Sequence, residues 1–225
     1  MSQLDFSTIL ASTVHDMKNS IGMLMHQINQ LQMDSPPEPA DLGQLQFEAA
    51  RLNNYLIQLM TLYKVDNQQY QFQADECYLD EFVEDAVLMN QPILQPWGIT
   101  IEQLVDAELC WNFDKNLVVG VLGNIVTNVI RYAKAKVRIC ASGSNGELCL
   151  RIEDDGPGYP EAMLGQLEKR EMGVDYISGS TGFGLYFSVL VAEQHSAADD
   201  PTRQGRVVLS NGGELGGGCF ELYLP

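Results

Sequence analysis

The first 66 residues carry two heptad seams separated by a proline cluster, and few folds accept that pattern. Leu10, Val14, Met17, Ile21, Leu24, Ile28 and Leu31 alternate spacings of four and three, the signature of an amphipathic helix with one apolar stripe. The segment DSPPEPAD at 34–41 stops that helix, and its Asp41 is placed to cap the next. Leu42, Leu45, Ala49, Leu52, Leu56, Leu59 and Tyr63 then repeat the seam. A two-helix hairpin buries little apolar surface by itself. Pairing two hairpins into a four-helix bundle satisfies both seams, so the pattern predicts a homodimer; packing onto the rest of the same chain is the competing solution.

Past Asp66 the texture changes. Residues 67–77, NQQYQFQADEC, read as a polar connector containing a short strand. The pattern then predicts a helix over 78–90 that stops near Pro92, a strand over 99–104 and a helix over 114–133. Strands over 136–141 and 147–153 follow, joined by the hairpin loop SGSNG. A helix over 182–193 has a glycine-rich entry, and strands over 205–210 and 219–224 are joined by NGGELGGG. Helices alternating with mixed strands predict an α/β sandwich with helices on one face of a sheet, and an α+β chain as a whole.

Composition narrows the function classes. At 225 residues and 45% apolar content the chain holds a real core. A formal charge of −17 repels a phosphate backbone and an anionic membrane surface, which disfavours nucleic-acid binding. No apolar run approaches the roughly 20 residues that span a bilayer, and MSQLDFSTIL lacks a basic signal-peptide start, so a cytoplasmic protein without membrane insertion is expected. Five cysteines without paired spacing read as reduced thiols, and three histidines without a cluster argue against zinc.

Four short stretches carry chemistry. His15 and Asp16 sit side by side in the first helix, beside the seam, where imidazole is a surface group, a ligand, a base or a nucleophile. In NIVTNVIRYAKAK, Asn124, Asn128 and Arg131 form one polar stripe on an otherwise apolar helix. It is either a solvated face or a site whose amide oxygens suit Mg²⁺ and whose Arg131 and Lys134 meet phosphate charge. DDGPGYP, residues 154–160, ends a strand with a carboxylate able to accept a hydrogen bond from an exocyclic amine; as a sequence it is also an ordinary turn. GSTGFGLYFS, residues 179–188, opens a helix with glycines whose N–H groups can cradle phosphate, although no Walker lysine follows.

The order and spacing of these stretches resemble the two-component histidine kinases over nearly the whole chain. HDMKN resembles the H-box, NIVTNVIRYA the N-box, DDGPG the first glycine box and STGFGL the second. The resemblance implies a dimerisation and histidine-phosphotransfer hairpin over 1–66, a linker over 67–77, and a Bergerat-type (GHKL) ATP-binding sandwich over 78–225. It implies His15 as the nucleophile toward the γ-phosphorus of ATP, with Asp16 orienting the imidazole and taking its proton. Asn19 lies one turn on, at the spacing the family links to dephosphorylation of a response regulator. Asn128 is implied as the Mg²⁺ ligand with Asn124 beside it, Arg131 on phosphate, and Tyr132 lining the nucleotide site. Asp154 is implied on the adenine amine, with Gly156 and Gly158 shaping its pocket. Thr181, Gly182, Gly184 and Leu185 are implied around the phosphates, beneath a lid over about 161–180. His26 and His195 are left outside the chemistry, His195 as a group bonding last-turn carbonyls.

The implied activity is ATP-dependent autophosphorylation followed by transfer to an aspartate of a response regulator receiver domain. With 14 residues ahead of His15, the sensor is expected to be a separate protein. Two alternatives compete. One is a dimeric histidine phosphotransferase with a kinase-like fold that no longer binds ATP. The other is a hydrolytic gyrase-type ATPase, which places a glutamate where this chain has Asn124. Ser180 stands where the family's first glycine of the second box is usual, and Arg131 stands where lysine is common.

Overall fold

A computed structural model describes residues 13, 17, 19–24, 26, 39–161, 163–164 and 182–225. The described residues between 13 and 26 are helical. Helix α1 (Pro39–Asp66) starts with proline in its first turn, where no N–H is needed, so Asp41 lies inside the helix rather than capping it. Strand β1 (Asp75–Tyr78), helix α2 (Leu79–Leu94), a 3₁₀ turn (Gln95–Trp97), β2 (Thr100–Leu104) and β3 (Cys110–Phe113) follow. Then come helix α3 (Lys115–Tyr132), β4 (Lys136–Ser144), β5 (Glu147–Asp154), helix α4 (Gly182–Gln194), β6 (Arg206–Asn211) and β7 (Gly218–Leu224).

The main sheet runs β2-β4-β5-β7-β6, with β2 parallel to β4 and the other neighbours antiparallel. Period-two alternation sends Val137, Ile139, Leu148, Leu150, Ile152, Leu209, Phe220 and Leu222 into the core beneath the helices. The opposite face is polar. Arg138 pairs with Glu102 (2.9 Å) and Arg206 with Glu147 (2.6 Å), and the Arg206 guanidinium lies 4.0 Å from the Tyr223 ring centre. All five cysteines are free. No helix among the described residues is long and apolar enough to cross a membrane.

Three expectations change. Strand β3 is absent from the sequence reading; its four residues show no alternation and exist by pairing with β1, Asp75 opposite Phe113. Helix α2 runs through Pro92 to Leu94, because the burial of Leu94 holds the last turn in place despite one lost hydrogen bond. The buried stripe of α1 is Phe47, Arg51, Tyr55, Gln58 and Leu62, offset by one position from the expected seam, which leaves Leu56 and Tyr63 exposed. The first helix shows the same offset: Thr13 and Ser20 are buried and Ile21 is exposed. Val14 and the seam residues 10, 28 and 31 lie outside the described residues.

The buried stripe of α1 faces two ways. Toward the first helix, Arg51 Nε donates to Ser20 Oγ (3.0 Å) while its Nη2 pairs with Glu48 (2.9 Å). Toward the rest of the chain, Phe47 meets Trp97 and Tyr55 meets Phe183 edge-on, with ring centres 6.0 and 6.2 Å apart. Asn54 Nδ2 donates to the Gly123 carbonyl on α3 (3.1 Å).

Candidate functional site

Helix α3 is fixed at its start by Asp114. Asp114 Oδ1 accepts from the N–H groups of Asn116 (3.0 Å) and Leu117 (3.2 Å), satisfying two orphan donors of the first turn. Its Oδ2 accepts from the Tyr70 hydroxyl (3.0 Å) and the Gln73 N–H (3.1 Å), which ties the connector to the helix. The Asp114 N–H donates to His195 Nε2 (3.0 Å), and His195 Nδ1–H donates to the Val191 carbonyl (2.7 Å). His195 is therefore the neutral Nδ1–H tautomer, bonding a last-turn carbonyl and joining the end of α4 to the start of α3. Its burial holds the imidazole below its ordinary value.

Over its last two turns, α3 forms one wall of a cavity of about 390 Å³. Asn124, Asn128 and Tyr132 line it from the helix, with Ile125 and Val129 between them. Asn124 is buried and Asn128 half-buried, so the polar stripe is not a solvated face. Arg131, further along the same stripe, is exposed and does not line the cavity. The opposite wall comes from the end of β5 and the loop after it: Ile152, Asp154, Pro157, Gly158, Tyr159 and Pro160. Gly158 holds φ +80°, the left-handed region, which turns the chain back over the cavity.

Asp154 is held from two strands. Its Oδ1 accepts from the Gly156 N–H (2.7 Å) and from the Gly218 N–H on β7 (3.2 Å). Its backbone carbonyl accepts from the Gly217 N–H (3.1 Å). A side chain on Gly218 would begin 2.8 Å from Asp154 Oδ2 and 3.0 Å from Tyr159 Cε2, so glycine there lets carboxylate and ring meet at one corner of the cavity. Burial pushes the Tyr159 phenol up, and the Asp154 carboxylate adds to the shift. The second carboxylate of the pair turns away. Asp155 accepts from the N–H groups of Lys134 (2.8 Å) and Ala135 (3.1 Å), fixing the turn after α3. Desolvation works against its charge, but the backbone donors prevail and hold Asp155 below the usual carboxylate value.

At the start of α4, Gly184 is buried hard against the Asn124 side chain, leaving no space for a Cβ. Leu185 lines the cavity beside it. The structure thus gathers Asn124, Asn128, Tyr132, Asp154, Gly158 and Leu185 on one cavity, with Gly156 and Gly184 packed directly behind it. Thr181, His15 and Asp16 lie outside the described residues; Asn19 and His26 are exposed positions of the first helix. Sequence reasoning missed Tyr159, Met163, Leu209, Gly218 and Phe220, which complete the lining. Tyr159 directly follows Gly158 and was within reach, whereas Gly218 enters only through β7 register.

Comparisons with known proteins agree with this geometry. The family model described as histidine kinase-, DNA gyrase B- and HSP90-like ATPase matches residues 113–225. The chain is 23% identical over 221 residues to the virulence sensor histidine kinase PhoQ of Salmonella typhimurium, covering 96% of this chain and 43% of that protein. It is 22% identical over 222 residues to the sensor protein PhoQ of Escherichia coli, with the same coverage. The chain thus spans less than half the length of these relatives. Among solved structures, the Acinetobacter baumannii histidine kinase AdeS superposes with a TM-score of 0.64 at 21% identity, over 93% of this chain and 96% of that one. Histidine kinase ThkA, solved in complex with the response regulator protein TrrA, superposes with a TM-score of 0.57 at 19% identity, over 96% of this chain and 60% of that one.

Proposed function

The chain belongs to the histidine kinase-, DNA gyrase B- and HSP90-like ATPases, and from that premise we propose that it is an ATP-dependent protein-histidine autokinase that signals to a response regulator, as its likeness to sensor histidine kinases supports. The observation that carries this reading is the cavity of about 390 Å³ on which Asn124, Asn128 and a doubly anchored Asp154 converge. It is large enough for a nucleoside, apolar for most of its wall, and polar at two ends. Asp154 Oδ2 accepts from the adenine amine at one end. At the other, Asn124 and Asn128 face the phosphates, with the glycine entry of α4 beside them.

The donor set fits Mg²⁺. The ion takes oxygen ligands and keeps water and phosphate oxygens around a small number of protein groups, and Asn128 is the amide oxygen placed for it. When bound, the ion neutralises charge on the transferring phosphate. The protein's own part is to hold the nucleotide, exclude water from the adenine end and present the acceptor. We assign that acceptor to His15. Its Nε2 attacks the γ-phosphorus, the bond to the β-phosphate oxygen breaks, ADP leaves, and Asp16 takes the imidazole proton. The phosphate then passes to an aspartate of the receiver domain. Asn19, exposed on the same helix, is assigned to orienting water in the reverse, phosphatase reaction.

In this reading, residues 1–66 form the phosphotransfer hairpin, 67–77 the linker and 78–225 the nucleotide-binding unit of a homodimer. The test is incubation with γ-labelled ATP and Mg²⁺. Acid-labile label on the wild type and none on His15→Ala supports the assignment. Label that persists on His15→Ala overturns it.

A further inference from the structure

We propose that Tyr159 is a second base-recognition group: its phenol hydroxyl donates to N1 of the purine while Asp154 accepts from the neighbouring 6-amino group. The proposal rests on the nucleotide reading above and adds to it how the base edge is read. Its geometric basis is the corner at Gly218. Asp154 Oδ2 and Tyr159 Cε2 lie 2.8 and 3.0 Å from the same point, the place a Gly218 side chain would take, and all three residues line the cavity. The ring carbon Cε2 is bonded to the carbon that bears the hydroxyl, so the phenol and Asp154 Oδ2 border one corner of the cavity, where they can address neighbouring atoms on one edge of a base.

The chain invests structure in holding the ring there. Tyr159 N–H donates to Asn211 Oδ1 (2.6 Å), and Asn211 Nδ2 donates back to the Tyr159 carbonyl (2.8 Å). That reciprocal pair ties the residue to the end of β6. Pro160 restricts the backbone of Tyr159 before it, and Gly158 supplies the left-handed turn that leads into it. Burial raises the phenol above its ordinary value, so at neutral pH it is a donor and never a phenolate. Adenine presents an amine donor and a ring-nitrogen acceptor in that order, which an acceptor carboxylate and a donor hydroxyl complement. Guanine presents a carbonyl acceptor in place of the amine, which opposes the Asp154 carboxylate. A site that leaves buried polar groups unpaired with the wrong ligand discriminates strongly.

The experiment is calorimetric titration of the full chain with Mg²⁺-ADP and with 1-deaza-ADP, in which N1 is replaced by C–H, on wild type and Tyr159→Phe. Wild type is expected to bind 1-deaza-ADP about tenfold more weakly than ADP, the worth of one hydrogen bond in a partly buried site. Tyr159→Phe is expected to bind the two nucleotides equally, at the weaker affinity. A packing role for Tyr159 would lower both affinities and preserve the ratio, and that result overturns the proposal. Wild type that binds the two nucleotides equally overturns it without recourse to the variant. Wild type that binds neither overturns the nucleotide reading itself.

Discussion

Asp154 divides its two oxygens between structure and ligand. Oδ1 is committed to the Gly156 and Gly218 N–H groups, and Oδ2 faces the corner shared with Tyr159. Replacing Asp154 by Asn keeps an acceptor for the two backbone donors but puts an NH₂ donor where Oδ2 was. A donor then meets the adenine amine. Adenine-nucleotide affinity should fall about 10- to 100-fold, the range for a lost charge-assisted hydrogen bond, while the urea midpoint stays close to wild type; unchanged calorimetric affinity would remove Asp154 from base recognition. Gly184 is the converse case, a residue whose absent side chain matters. A Cβ there would occupy the space of the Asn124 amide, and the Phe183 and Leu185 neighbours hold the helix in place. Gly184→Ala should cost about 1–3 kcal/mol in urea unfolding, as overpacking of a tight contact does, and should weaken nucleotide binding by displacing Asn124. A variant with wild-type stability and affinity would show that α4 moves aside freely.

Helices α3 and α4 are coupled end to end by His195, and that coupling responds to pH. The native imidazole is neutral, accepts from Asp114 N–H, and is held below its ordinary value of 6.5, first by burial. Between the unfolded value and the lower native one, the unfolded chain binds more protons than the native chain, so stability rises with pH across that window. The contribution is present above about pH 6.5 and is lost as pH falls toward the native value. The urea midpoint of wild type should drop more between pH 7.5 and pH 5.5 than that of His195→Gln; equal drops would exclude His195 as the source. Sequence periodicity made α3 and its Asn124–Asn128 stripe legible, because i and i+4 necessarily share a helix face. Arg131, at i+7 from Asn124, continues that stripe beyond the residues that line the cavity and is exposed. The strand-end position of Asp154 was equally legible. Gly218 was not, because it reaches Asp154 through the pairing of β5 with β7, Glu153 opposite Cys219, and register between strands 64 residues apart leaves no local mark. Strand β3 was hidden for the same reason: CWNF becomes a strand only against β1.

At the scale of the molecule, the one-residue offset of the buried stripes explains how the chain satisfies two partners at once. The hairpin interior is partly polar, built on Ser20, Arg51 and Glu48, while Phe47 and Tyr55 anchor α1 to the nucleotide-binding part. Part of the apolar surface is consequently turned outward: of the expected seams Leu56, Tyr63 and Ile21 are exposed, with Ile57 and Met60 off the α1 seam in the same class, while Leu52 and Leu59 are half-buried. Leu56, Met60 and Tyr63 stand at i, i+4 and i+7, a continuous stripe of one helix face. In the proposed homodimer, a two-fold pairing of hairpins would cover this stripe and place the same seam on both sides of the interface. Packing of α1 onto its own chain uses the other face and leaves this one uncovered, so it does not compete with the proposed dimer. The wild type should elute with a light-scattering mass near twice its 25.0 kDa. The double variant Leu56→Glu, Met60→Glu sets like charges against each other across the interface and should run as a monomer. Its affinity for Mg²⁺-ADP should remain that of wild type, because Tyr55 and Asn54 still hold the opposite face against α4 and α3. A wild type that is already monomeric at micromolar concentration would instead assign the outward seam to a different partner. A variant that loses nucleotide affinity along with dimerisation would show that the two faces of α1 are not independent.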